Sequence, residues 1–142
     1  MPTQTFDREC IALTQLETAL RLFFESEDYF SVITLAGAAD EIFGKMLSAR
    51  GIENSLESTK NAVAAIHLKL YGEDLAEKDI IERANRAKNA LKHFDKNNTP
   101  TITFNAKEEA IDMLNRAIDN YWSLKEWLTP SMERFQRESF EV

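Results

Sequence analysis

The sequence predicts an all-α fold, a single domain over residues 1–142 built as an up-and-down bundle of five or six helices. Three observations carry this expectation. Four glycines and three prolines serve 142 residues, too few to punctuate a many-stranded β protein. Apolar residues recur at three- and four-residue steps along most of the chain, the spacing that lines one face of an α-helix. Gly51, Gly72, Pro100 and Pro130 stand at the edges of those periodic stretches, where helices stop and start.

Each element follows from its own residues. Thr3 or Thr5 caps a first helix that carries Phe6, Cys10, Leu13, Leu16, Leu20, Phe23 and Phe24 on its apolar stripe. Ser26-Glu27-Asp28 interrupts it. A second helix runs from Tyr29 to Arg50 and stops at Gly51, a residue suited to the left-handed C-terminal conformation. Through Tyr29–Ala39, the longest stretch without a charged residue, both faces of this helix are apolar or small. Such a helix belongs at the centre of a bundle or in a dimer interface. The third helix spans Ser58 to Gly72, with Val63, Ile66 and Leu70 as its buried stripe. The fourth covers Lys78 to Phe94 and ends in Asp95-Lys96-Asn97-Asn98, ahead of Pro100. Thr99–Phe104 is the one β-like stretch and, standing alone, is expected to be an extended connection. Asn105 followed by Glu108 has the pattern of a capping box for the fifth helix. That helix turns Ala110, Met113, Leu114, Ala117, Ile118, Tyr121, Leu124 and Leu128 inward. Thr129-Pro130 opens a last short helix, with Thr as cap and Pro in the first turn. Tyr121, Trp122 and Trp127 read as packing or partner-facing aromatics, and Trp122 and Phe135 are alternative dimer contacts.

Composition narrows the function classes. A chain that is 44% hydrophobic and 29% charged is ordinary for a globular protein, and no run approaches the ~20 apolar residues of a membrane span. The opening Met-Pro-Thr-Gln-Thr-Phe-Asp-Arg has no basic region followed by an apolar run, so no signal peptide is expected. Cys10 is the only cysteine, which excludes an internal disulfide and a CxxC metal knuckle and suits a reducing, cytoplasmic setting. The net charge of −7 disfavours bulk electrostatic coating of nucleic acid.

Several chemistries lack their residues. Ala64 and Ala90 stand three positions before His67 and His93, where carboxylate-bridged metal bundles place Glu. His-Glu-x-x-His and Gly-rich phosphate loops are absent, and no metal or cofactor is expected. Cys10 lies on the apolar stripe of the first helix and reads as a packing residue. His67-Leu68-Lys69-Leu70-Tyr71-Gly72 only loosely follows the His-x-Leu-Lys-Gly pattern of phosphotransfer bundles, so His67 is read first as structural and only remotely as a phosphorylated histidine.

The fourth helix holds the strongest signal. At 100° per residue, Ala84, Ala87, Leu91 and Phe94 fall within about 40° of Ile80 and form a core stripe. Arg86, Asn89 and His93 fall at about 180° to 240°, on the opposite face. Lys88 borders the core and extends outward along its stem. Residues 83–96 carry five basic side chains (Arg83, Arg86, Lys88, Lys92 and Lys96) and one acid, Asp95. This local +4 leaves −11 for the rest of the chain. An ordinary solvated face explains mixed charge on a helix. The functional alternative is a site for a phosphate-bearing ligand, with an imidazole to move protons, cations to stabilise a phosphorane and an amide to orient them.

This segment resembles the signature of the HEPN superfamily of small helical proteins, an Arg followed after four to six residues by His, commonly with Asn, Asp or His directly after the Arg. The resemblance implies a homodimer whose two motifs line one cleft, and a metal-independent ribonuclease of a toxin–antitoxin or defence system. In it, His93 and Arg86 would assist attack of an RNA 2′-hydroxyl on the adjacent phosphate. Two registers are open. Arg86-x6-His93 has Ala87 after the arginine, whereas Lys88-Asn89-x3-His93 keeps the Asn but replaces the guanidinium fork with an ammonium. Tyr29–Ile42 is similar to the family's small-residue helix ending in an acidic pair, here Asp40-Glu41. Those two acids read as surface residues or as partners of a motif cation.

The expected site is therefore His93, Arg86 and Asn89 for catalysis, with Lys88, Lys92 and Arg83 on phosphate or RNA. The partners expected are a second copy of the chain, RNA or a nucleotide, and an antitoxin protein. A non-catalytic HEPN-like binding module is the alternative, marked by binding without turnover and a steep loss of affinity with salt.

Overall fold

The computed structural model describes residues 1–139; the last three residues of the expected 1–142 domain lie outside it. Seven helices make up the described chain, with no strand among the described residues. They are α1 (Arg8–Glu25), α2 (Tyr29–Ala49), α3 (Ser55–Tyr71), α4 (Glu77–Ala84), α5 (Arg86–Lys92), α6 (Ala106–Lys125) and α7 (Pro130–Glu138). No described helix is long and apolar enough to cross a membrane.

The ends follow local chemistry. Asp7, rather than Thr3 or Thr5, caps α1, its carboxylate accepting from the Glu9 and Cys10 N–H groups. Asp28 caps α2 through the Ser31 N–H at 3.1 Å, and Asn105 caps α6 through the Glu108 N–H at 3.1 Å. Thr129 caps α7, which begins at Pro130. Gly51 and Gly72 both take positive φ, +73° and +67°, beyond the ends of α2 and α3. Each cap satisfies backbone donors or acceptors that a helix end leaves free.

The core is built by α1, α2 and α6, with α7 closing one side. α2 packs mainly against α6 and α1, and it buries Val32, Ile33, Ala36, Ala39, Phe43 and Leu47 completely. Its apolar stretch therefore does sit at the centre. Leu16 and Leu20 of α1 and Met113, Leu114, Ala117 and Ile118 of α6 meet it. Phe43 packs edge-on to Tyr121 at 5.5 Å, and Phe23 to Phe135 at 5.4 Å. Phe135 is fully buried, which removes it from the dimer contacts considered above. Trp122 and Trp127 are half exposed.

Three expectations from periodicity, and the reading of Asp40 as a surface acid, are overturned. Cys10 is exposed, one turn from the start of α1, and so is Phe6 ahead of it; the core begins at Ala12. The stripe of α3 is not buried: Val63, Ile66 and Leu70 are 39, 59 and 68% exposed. α3 packs on α4 and α6 and has no buried residue; Leu56, Lys60, Ala64 and His67 are among its half-buried ones. Its 3.6-residue pattern marks an apolar face, but no described element covers that face. The fourth helix is two helices, and Phe94, expected in the core, is 75% exposed. Asp40 is buried, 5% exposed, and not a surface acid.

Candidate functional site

α4 stops at Ala84, and Asn85 stands between it and α5 with φ −103° and ψ 5°. Asparagine is a weak helix former, because its amide competes for backbone groups. The second cause comes from α6, where Arg116 Nη1 donates to the Ala84 carbonyl at 3.1 Å. A side chain entering the hydrogen-bond ladder is a usual origin of a helix break. α5 then runs only to Lys92. His93 is its C-cap with extended backbone, φ −126° and ψ 142°, and its N–H still donates to the Asn89 carbonyl at 3.0 Å. The helical wheel that put His93 on one face with Arg86 thus fails at its last residue.

The side chains are nevertheless brought together. Arg86, Asn89 and His93 line one open groove of about 770 Å³. The connection Asp95–Thr103 forms its other wall, and Thr99–Phe104, expected as a connection and not a sheet strand, forms no strand. A reciprocal turn braces that wall: Asp95 N–H donates to Asn98 Oδ1 at 2.7 Å, and Asn98 N–H donates to the Asp95 carbonyl at 2.9 Å. Thr99 Oγ1 donates to the Thr101 carbonyl at 2.8 Å. Arg86 and His93 are exposed. Among the described residues Arg86 has no ion-pair partner within 4.0 Å, although its charge acts against the burial that raises the Glu109 carboxyl.

Lys88 and Lys92 belong to a different pocket, of about 360 Å³, reached from the α2 side and shared with Asn89. The Lys88 side chain is only 12% exposed and lies 3.9 Å from Glu41. Its stem crosses Gly37, where a Cβ would come within 2.6 Å of Lys88 Cδ. Burial depresses the Lys88 ammonium below its usual range, against the pull of Glu41. Glu41 is held below the ordinary carboxylate range, first by its hydrogen bond from Lys45 at 3.0 Å. Of the two acids read as surface residues or as partners of a cation, Glu41 lies beside Lys88.

Asp40 has another partner. Its Oδ2 accepts from Arg116 Nη2 at 2.8 Å and its Oδ1 from Asn120 Nδ2 at 2.9 Å. Burial raises the Asp40 carboxyl more than Arg116 lowers it. Asn120, 2% exposed, also accepts from the Ser55 N–H at 2.8 Å and so ties the start of α3 to α2 and α6. Sequence reasoning missed both Arg116 and Asn120. The available signal was their recurrence on the inward side of the sixth helix, beside Met113 and Ala117, where a polar residue needs a partner.

Arg83 faces a third pocket, with Ser55, Thr59, Asp112 and Asp119. The six expected site residues are therefore distributed over three surfaces, with Asn89 shared by two of them. His67 is half buried and its ring lies tilted against Tyr71, ring centroids 4.8 Å apart and planes at 44°.

No family model, curated protein or solved structure matches the chain.

What the groove can do chemically follows from its own residues: a guanidinium binds an anion, an imidazole exchanges a proton, and an amide orients either. Among the described residues no three His, Cys, Asp or Glu side chains are grouped as metal ligands would be.

Proposed function

We propose that the chain forms one HEPN-like up-and-down helical bundle over residues 1–142, acting in the cytoplasm as a homodimer on RNA or a nucleotide. In this reading it is a metal-independent ribonuclease of a toxin–antitoxin or defence system, with an antitoxin protein as a further partner. The observation that carries it is the convergence of Arg86, Asn89 and His93 on one groove, although the helix ends before His93. Arg86 would hold the phosphate bidentately, and Asn89 would orient it. His93 would accept the 2′-hydroxyl proton as the 2′-oxygen–phosphorus bond forms and the bond to the 5′-oxygen breaks, that oxygen taking its proton from water. The products are a 2′,3′-cyclic phosphate and a 5′-hydroxyl end. The Arg86 register is favoured over the Lys88 register, because Lys88 is engaged with Glu41 in the other pocket. The homodimer reading is supported by the uncovered apolar face of α3.

Incubation of the purified chain with a mixed RNA pool tests the catalytic claim. Cleavage that leaves cyclic-phosphate ends and falls at least about 100-fold in His93→Ala is expected. Equal cleavage by both proteins refutes the role of His93, and no cleavage by either leaves the binding module. That second reading is favoured by Ala87, which follows Arg86, and by the absence of Lys88 and Lys92 from the groove lining.

A further inference from the structure

The exposed ring of Phe94 calls for an explanation of its own. It stands directly after His93, is 75% exposed, and lines the same groove as Arg86, Asn89 and His93. A phenylalanine so exposed leaves nearly all of its apolar area in water, where it contributes nothing to the core. Among the described residues it joins no aromatic pair, whereas Phe23, Phe24, Phe30, Phe43, Phe104 and Phe135 all take part in ring contacts. Phe94 is nevertheless held in place. His93 is anchored by its N–H on the Asn89 carbonyl, and Asp95 by the reciprocal turn with Asn98. The backbone is thus pinned on both sides of a ring that faces outward.

The neighbours say what would cover it. Arg86 is a cation with no ion-pair partner within 4.0 Å among the described residues, so the lining of the groove offers both a positive charge and an aromatic ring without a ring partner. Ile102, 42% exposed, adds apolar surface to the same groove. A ligand complementary to both features carries an anionic group and a flat aromatic group, as a nucleotide with an unpaired base does. A duplex does not meet this description, because its bases are already stacked on one another.

Resting on the reading of the groove as an RNA or nucleotide site, we infer that Phe94 is the base-stacking platform of the groove and that the ligand is a single strand. The base next to the phosphate held by Arg86 lies on the Phe94 ring. Selectivity comes from the ring and is tolerant of base identity, since every base has a π face.

Fluorescence anisotropy with a labelled single-stranded RNA, at low salt and on the full chain, tests this. Phe94→Ala is expected to weaken binding roughly 5- to 100-fold, the effect of losing one base–aromatic stack, and Phe94→Trp to restore it. A strand with an abasic site should bind wild type worse than the intact strand, and a duplex of the same sequence should bind worse still. Unchanged thermal unfolding of Phe94→Ala is expected, given the exposure of the ring, and shows that the loss is local. Wild type that binds the single strand while Phe94→Ala binds it equally overturns the platform and leaves the groove reading standing. Preference for duplex over single strand does the same. Failure of wild type to bind any of these RNAs overturns the groove reading itself.

Discussion

Asn120→Ala is the sharpest test of how the candidate site is supported. The side chain is 2% exposed and makes three hydrogen bonds: to Asp40 Oδ1 at 2.9 Å, to the Asp40 carbonyl at 3.3 Å, and from the Ser55 N–H at 2.8 Å. The bond to the carboxylate is worth about 1.5–3 kcal/mol, and each of the others about 0.5–1.5 kcal/mol. Ser55 is only half buried, so water recovers part of its loss. The net cost is about 3 kcal/mol. With a urea m-value of about 1.5–2 kcal/mol/M for a chain of this size, the midpoint should fall by roughly 1.5–2 M, and Tm by roughly 10 °C. Urea unfolding followed by circular dichroism reads both. Asn120→Asp sharpens the test, because it sets a second carboxylate where a donor stood 2.9 Å from Asp40. Such a pair holds a proton more tightly when folded than when unfolded. Its folded pKa is raised, so stability is present below the unfolded value near 4 and is lost as pH rises through the folded one. Asn120→Asp should therefore be destabilised at pH 7 and recover on acidification. A midpoint within about 0.3 M of wild type for Asn120→Ala would refute the network as a structural tie.

Three further outcomes are expected. Partial desolvation raises the carboxyl of the solvent-exposed Asp119, against the hydrogen bond from the Ser55 hydroxyl; water screens the effect, and the stability it confers is present below 3.8 and is lost as pH rises through the folded value. Asp119→Asn should therefore match or exceed wild-type stability at pH 7 and show no advantage at pH 3.5, and a urea midpoint lowered more at pH 7 than at pH 3.5 would contradict this. Ile66→Glu with Leu70→Glu should convert the proposed homodimer to a monomer by light scattering and leave the fold within about 0.5 kcal/mol, since both side chains are exposed; a dimer that survives the double substitution removes α3 as its interface. Single-stranded RNA should bind with a shallow salt dependence, log K against log salt having a slope of about −0.7 to −1.4 for one or two phosphates. A slope near −3.5 would mean that all five basic residues of 83–96 act together.

The readable part of this fold was local. Asn105 with Glu108, Thr129 with Pro130, and Gly72 after Tyr71 specify helix ends through contacts within a few residues, and each stands where its chemistry put it. The apolar length of Tyr29–Ala39 was likewise enough to place α2 among other helices. The break at Asn85 was not readable, because a side chain 32 residues away completes it. Val63, Ile66 and Leu70 were read correctly as one face and wrongly as buried, since periodicity reports that a face is apolar and not what covers it. At the site, Arg86, Asn89 and His93 were grouped by a helical wheel whose last step does not exist. They share a groove because the extended residue after Lys92 stays beside α5. Lys92 and Arg83 are assigned to the same site on charge alone, and Lys88 on charge and on the spacing of its register to His93; neither charge nor spacing carries direction.

The buried network and the groove are linked through one short piece of backbone. Arg116 bonds to Asp40 on α2 and to the carbonyl at which α4 stops, so the guanidinium that offsets a buried carboxylate also sits at the break. Just beyond it, the bare Cα of Gly37 admits the Lys88 stem and leaves the Lys88 ammonium beside Glu41. Arg83 is drawn off separately, into a pocket with Asp112 and Asp119. A run of five cations in an acidic chain would otherwise attract any polyanion. Divided in this way, the run leaves Arg86 as the arginine or lysine lining the groove with His93. On the proposed reading, the groove would discriminate by the kinds of group it presents, a guanidinium, an imidazole, an amide and an aromatic ring beside the Asp95 carboxylate, and not by charge density. Under the proposed function, that is the condition under which one phosphate beside an unpaired base would outcompete the many phosphates of a duplex.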